Sequence, residues 1–221
     1  MKPEEKIINQ LKLCKEFRNE PLPNDLNKPQ KFINWYKKEI EWVSEQIFKV
    51  EEAIETYSTC KKGCNACCYL PIIISDIEAK AISYYVKNNI KNRRLIKEQV
   101  SRACEKIEKL DNTLIHNLNN RFWKYDNEQE IKYRNQYFNA KIPCPMLDEE
   151  GGCSIYPIRP SVCWAHKAYG DPEECKVSTE VSHAIHFSSY EGMITKRMFA
   201  IVKSRNNVSL SLLPLKLKEN L

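Results

Sequence analysis

Glycine is scarce in this chain, five in 221 residues. Four of them, Gly63, Gly151, Gly152 and Gly170, lie inside or between cysteine-bearing stretches. Glycine is needed where a backbone turns tightly or takes positive φ, so the turns concentrate there and the long glycine-free segments are left to helix. No Gly-x-Gly phosphate loop is present, and no nucleophile elbow, H-E-x-x-H pair or Ser/His/Asp arrangement. Long apolar runs are missing too. The longest, LPIIIS, falls far below the roughly 20 residues that span a bilayer, so no membrane partner is expected. The opening MKPEEKIINQLKLCKEF is charged throughout and lacks the apolar core of a secretory signal. A cytoplasmic location follows, where thiols stay reduced. Charge of one sign does not dominate: 35 basic and 29 acidic residues give +6. The most basic stretch, KNNIKNRRLIK at 87–97, reads as a solvated helix face, and no nucleic-acid partner is expected.

Cysteine is what the chain has in excess, with ten. CKKGCNACC at 60–68 places four thiols in nine residues, two of them adjacent. A disulfide framework, a structural metal site and an iron–sulfur cluster all use such clusters. A chain of this length can bury a core without staples, and a reducing compartment favours metal ligands over disulfides. The first loop supplies Cys60, Cys64, Cys67 and Cys68. A second, KIPCPMLDEEGGCSIYPIRPSVC at 141–163, supplies Cys144, Cys153 and Cys163, and Cys175 follows. These eight are the candidate ligands, as two four-thiolate sites or one cluster with spare thiols. Lys61 and Lys62 would offset their negative charge. Neighbours in an extended backbone point opposite ways, which assigns Cys67 and Cys68 to different metals or gives one of them a supporting role. Cys14 and Cys104 fall in helical patterns and read as small, partly buried hydrophobes.

Cys60-x3-Cys64-x2-Cys67 also has the spacing of the radical S-adenosylmethionine enzymes. Those place it after the first strand of a β/α barrel, whereas a long amphipathic helix precedes it here and no strand–helix alternation follows.

The rest of the pattern is helical. Helices are expected over 3–18, over 30–57, from Asp76 onward behind a Ser75/Glu78 capping box, over 92–110, over 112–138 and around 189–205. In the second of these, Tyr36, Ile40, Val43, Ile47, Val50, Ile54 and Tyr57 repeat at 4-3 spacing, the seam of an antiparallel bundle. SLSLLPLKLKENL reads as a docked tail. The fold class expected is mainly α: a single-domain helical bundle over 1–221 whose two irregular cysteine-bearing loops, within about 57–175, form a metal site between helical flanks at 1–56 and 176–221.

C-x3-C-x2-C-C, then CPML at 144–147, GCSIYPIRPSVC at 152–163 and Cys175 resemble the bacterial and archaeal CxxCxxCC family of zinc- or iron-chelating proteins. The same cysteine pattern occurs in flagellin lysine-N-methylases. The resemblance implies a metal or cluster on a subset of the eight cysteines and, with the methylases, protein methylation using S-adenosylmethionine. Trp164 stands where that family usually has a basic residue after the last cysteine of this block.

Beside the thiols, Arg159 is held between Pro157 and Pro160 and is expected to donate to thiolates or to a carboxylate such as Asp148. Tyr156 reads as packing beneath the loop. His166, three residues after Cys163, is a candidate ligand or donor to one. His183 and His186 would share a face if their segment were helical. Two functions remain open from these residues. One is a redox or alkyl-transfer enzyme on an iron–sulfur cluster with a protein substrate. The other is a non-enzymatic zinc-stapled protein or metal carrier acting through a protein partner.

Overall fold

In a computed structural model the chain is described at residues 2–13, 22, 28–119, 127–201 and 209–221. Among these residues there are ten helices and two small antiparallel sheets, so the protein is mainly α. Helix α1 covers Pro3–Leu13, and α2, Pro29–Ala53, starts with proline at its first turn, where the missing N–H leaves no bond unmade. Phe32, Tyr36, Val43, Ile47 and Val50 bury one face of α2. The seam expected to reach Tyr57 stops earlier. Ile54 caps the helix, Glu55 takes φ +51°, and Tyr57 is exposed. The chain turns off here because Thr59 must reach Ala168, whose carbonyl accepts from the Thr59 N–H at 2.9 Å.

Helix α3, Asp76–Asn89, begins at the anticipated capping box. The buried Ser75 hydroxyl accepts from the Glu78 N–H, and the Glu78 carboxylate accepts from the Ser75 N–H at 2.9 Å and its hydroxyl at 2.8 Å. Burial raises the Glu78 pKa against these bonds. Helix α4 runs Arg93–Ile107, and α5 (Asn112–Asn119) and α6 (Asn127–Asn139) occupy parts of the expected 112–138 helix. The remainder of that span, and the stretches of 3–18 and 189–205 beyond the observed helices, lie outside the described residues, as does Cys14.

The tail docks as expected. Strand β4 (Leu210–Leu212) pairs with β1 (Ile73–Ser75), and α10 (Leu213–Lys218) packs on α4 and α3. Short α7 (Ser161–Ala165) packs on α9 (Ser188–Ile201), and α8 covers Glu174–Val177. Strand β2 (His166–Ala168) pairs with β3 (Ala184–His186), His166 opposite His186. Residues 184–186 are thus a strand and not the helix in which His183 and His186 would have shared a face. His183 takes φ +55° and turns to Glu4, its Nδ1 2.8 Å from Oε2, while His186 Nε2 lies 2.6 Å from Glu191 Oε2. The pair shares no helical face. Cys104, fully buried in the core, matches its expected role. Among the described residues no helix is long and apolar enough to cross a membrane.

Candidate metal centre

The first cysteine loop is built from turns. The Cys64 N–H donates to the Lys61 carbonyl at 3.0 Å, with Gly63 at φ +94° supplying the left-handed residue that lets the chain reverse. One turn of 3-10 helix over Ala66–Tyr69 then carries Cys67 and Cys68. At three residues per turn, neighbouring side chains stand about 120° apart rather than opposed. The extended-backbone expectation is therefore corrected: both thiols line one cavity.

The second loop folds onto the first. The Cys144 N–H donates to the Cys68 carbonyl at 2.7 Å. Asp148 organises the following turn, its carboxylate accepting from the N–H groups of Gly152 at 2.6 Å and Glu150 at 3.1 Å. Gly151, at φ +78°, sits against Asn65 of the first loop; a Cβ there would stand 2.6 Å from Asn65 Nδ2. A bridge between Leu147 and Cys153 closes the turn, and a 3-10 turn at Tyr156–Ile158 leads through Pro160 into α7, which carries Cys163 and Trp164.

Seven of the eight candidate cysteines, Cys60, Cys64, Cys67, Cys68, Cys144, Cys153 and Cys163, line a single cavity of about 280 Å³. His166, Arg159 and Trp164 line it too. Cys175 does not, although it sits beside Cys60, Cys64 and Cys67; burial and the charge of those three sulfurs push its pKa up to about 11. None of the nine described cysteines is in a disulfide. Among the described residues no three His, Cys, Asp or Glu side chains are gathered tightly enough about one point to hold a lone ion. The thiols ring a space instead.

Their electrostatics divide them. The neighbouring Cys68 thiol pulls the Cys67 pKa down to about 7, against burial and with help from the Arg159 guanidinium. The Cys67 sulfur beside it, and burial near Cys144, drive the Cys68 pKa up. Burial pushes Cys144 up to about 12, Cys163 well above the usual thiol range, and Cys153 upward. One of these sulfurs receives an N–H donor: the Ala168 N–H lies 3.3 Å from Cys60 Sγ. The nearby backbone N–H groups of Met146 and Ile155 lower the pKa of Cys144 and Cys153 against burial. Donors aimed at sulfur favour the thiolate over the thiol. Soft donors with oriented N–H groups and a fixed cation fit a thiolate-bound metal; when bound, the metal would take the place of the thiol protons.

Arg159 stands differently from expectation. Its guanidinium is 4.2 Å over the Tyr156 ring, and Asp148 is engaged by its own turn. Tyr156 is accordingly half-buried and lines the cavity rather than packing beneath it. Trp164, at the divergent position, is buried with Nε1 3.4 Å from the Tyr36 hydroxyl. His166 faces the cavity, and burial, with His186 nearby, lowers its pKa. Sequence reasoning missed Ile47, Leu213 and Lys167 as lining residues. Ile47 and Leu213 look like ordinary core positions, and Lys167 carries no motif; its Nζ is 3.4 Å from Glu51, which also accepts from the Tyr169 hydroxyl at 2.8 Å.

No curated protein and no solved structure matches the chain. A family match does, across residues 59–184, more than half of the chain and including all eight loop cysteines. That family's description supports zinc or iron chelation, in keeping with a cavity ringed by thiols. The chain thus belongs to the CxxCxxCC family, described as "Putative zinc- or iron-chelating domain".

Proposed function

We propose that the cavity holds an iron–sulfur cluster and that the protein works through it, in redox or alkyl-transfer chemistry. The observation that carries this reading is the ring of seven thiols, drawn from both loops, around one space of about 280 Å³. A lone zinc ion needs four ligands drawn in to about 2.3 Å of one point. A sulfur-bridged cluster needs thiolates spread around a larger body, with N–H donors to sulfur and limited solvent to set its potential. Cys67, Cys68, Cys144, Cys153 and Cys163 would hold it; Cys60 and Cys64, exposed at the mouth, and Cys175 beside them complete the candidate set. Bound there, the cluster would supply electron transfer or a Lewis-acidic iron.

The test is iron, sulfide and zinc analysis with a visible spectrum on protein purified without oxygen. Iron with stoichiometric sulfide and broad visible absorption supports the reading. Colourless protein with one or two zinc ions overturns it and leaves a zinc-stapled protein or metal carrier acting through a partner. Resemblance to flagellin lysine-N-methylases makes methyl transfer from S-adenosylmethionine to a protein lysine the specific reaction to assay on iron-loaded protein. Calorimetry showing no S-adenosylmethionine binding by that form would remove it.

A further inference from the structure

The cavity shared by the cysteines has a second side. Ile47, Ile72, Met146, Ile155, Trp164 and Leu213 wall it with hydrocarbon and an indole. Such a wall limits solvent around a thiolate-bound metal, and it also offers an apolar guest a surface. Arg159 reaches the same space. Its guanidinium is steadied over the Tyr156 ring at 4.2 Å, its Nε–H is buried with no acceptor, and among the described residues no carboxylate pairs with it. Cys67, Cys153 and Cys163 feel its charge, yet none of their sulfurs takes the Nε–H. A buried donor left unmet is costly, and a planar fork with a free face matches a carboxylate in two-point contact.

Size agrees with a small organic guest. A cavity of ~150 Å³ is enough for benzene, and ligand sites begin near ~300 Å³, mostly apolar with a few convergent polar groups. At about 280 Å³ this space has that composition and, with the metal centre taking part of it, room for a small guest.

We propose that the cavity binds a small organic carboxylate, its carboxylate on the Arg159 fork and its apolar part against Trp164, Ile72 and Leu213, beside the metal centre. The inference rests on the metal reading for what neighbours the ligand. The recognition itself rests on Arg159 and the apolar wall. Counter-charge for the thiolates is the competing role for Arg159, and it leaves the buried Nε–H without an acceptor.

The experiment uses the full chain, purified without oxygen and metal-loaded, titrated by calorimetry with a panel of straight-chain and phenyl-substituted monocarboxylates, each beside its carboxamide. At least one carboxylate should bind, and its carboxamide should not. Arg159→Gln should weaken that binding by roughly 10- to 100-fold with metal content unchanged. If Arg159→Gln does not fold, Arg159→Lys replaces it, and weakened binding at full metal content is again the expected result. Absence of binding by every carboxylate, equal binding of the amides, or loss of metal in both variants would overturn the proposal. Metal identity is read on the same samples. Zinc-loaded protein that still binds the carboxylate would remove the cluster and keep this site.

Discussion

The Tyr36 hydroxyl donates to the carbonyl of Arg159 at 3.1 Å, 123 residues away in the chain. It also accepts from Trp164 Nε1. A helix outside the family match thus fixes the backbone of the one arginine in the cysteine cavity and the indole beside it. Tyr36→Phe leaves a buried donor and a buried acceptor unpaired, so it should lower stability by about 2 kcal/mol in urea unfolding. Metal should also leave faster under a chelator. An unchanged unfolding midpoint would show that the bond is not holding this region.

Ligand assignment can be read by substitution. Cys153→Ser and Cys64→Ser should each lower the metal content of anaerobically prepared protein. Cys104→Ala, remote in the core, should keep full metal while losing about 1 kcal/mol of stability for the small cavity it leaves. Elemental analysis of the three purified variants decides it, and full metal in both loop variants would contradict the assignment.

Metal loading should release protons. Burial holds Cys144, Cys153 and Cys163 protonated at neutral pH, and a metal takes only thiolates. At pH 7.5 each of these that becomes a ligand should give up about one proton, and Cys67 less because its pKa is already about 7. Calorimetry in buffers of different ionisation enthalpy counts them, and apparent affinity should fall steeply as pH drops.

The metal-free, reduced protein carries its own pH signature. Cys67 falls from the ordinary 9.0 to about 7 on folding, so between those values the unfolded chain holds a proton that the folded one lacks. Its contribution to stability is full above 9 and is lost as pH falls to 7. Cys144 and Cys163 act in the opposite sense: raised on folding, they favour the folded state below about 9 and withdraw that support at higher pH. The cysteine contribution therefore peaks near pH 9. Urea midpoints measured from pH 6 to 11 should show it, and Cys67→Ser should flatten the rise between 7 and 9.

Gly151→Ala tests the contact between the loops. Positive φ and the approach of Asn65 together should lower stability by about 1–3 kcal/mol. Adding Asn65→Ala should return the steric part but not the backbone part. A double variant no better than the single would place the whole effect in the backbone.

What could be read from the letters was local. Ser75 and Glu78 announced α3 because a capping box is completed within four residues, and the stripe on α2 showed its buried face because helical spacing is a short-range property. The cysteine spacings announced two loops with one purpose. Contacts across the chain were not legible. His183 and His186 would have shared a face in a helix, but i and i+3 spacing does not reveal that 184–186 pairs with 166–168. Spacing alone also does not show that seven of the eight candidate cysteines line one cavity and that Cys175 lies beside it. Tyr36 was visible only as one more apolar position in a seam; its hydroxyl bond to Arg159 depends on how the whole chain closes.

The bond from the Cys144 N–H to the Cys68 carbonyl has a consequence for how the protein is made. Cys68 leaves the ribosome about 75 residues ahead of Cys144, several seconds at ~5–20 residues per second. Through that interval the first loop is a nascent strand bearing four accessible thiols with no opposing wall. Newly made chains are then open to adventitious metals and oxidants until the second loop arrives and closes the rim.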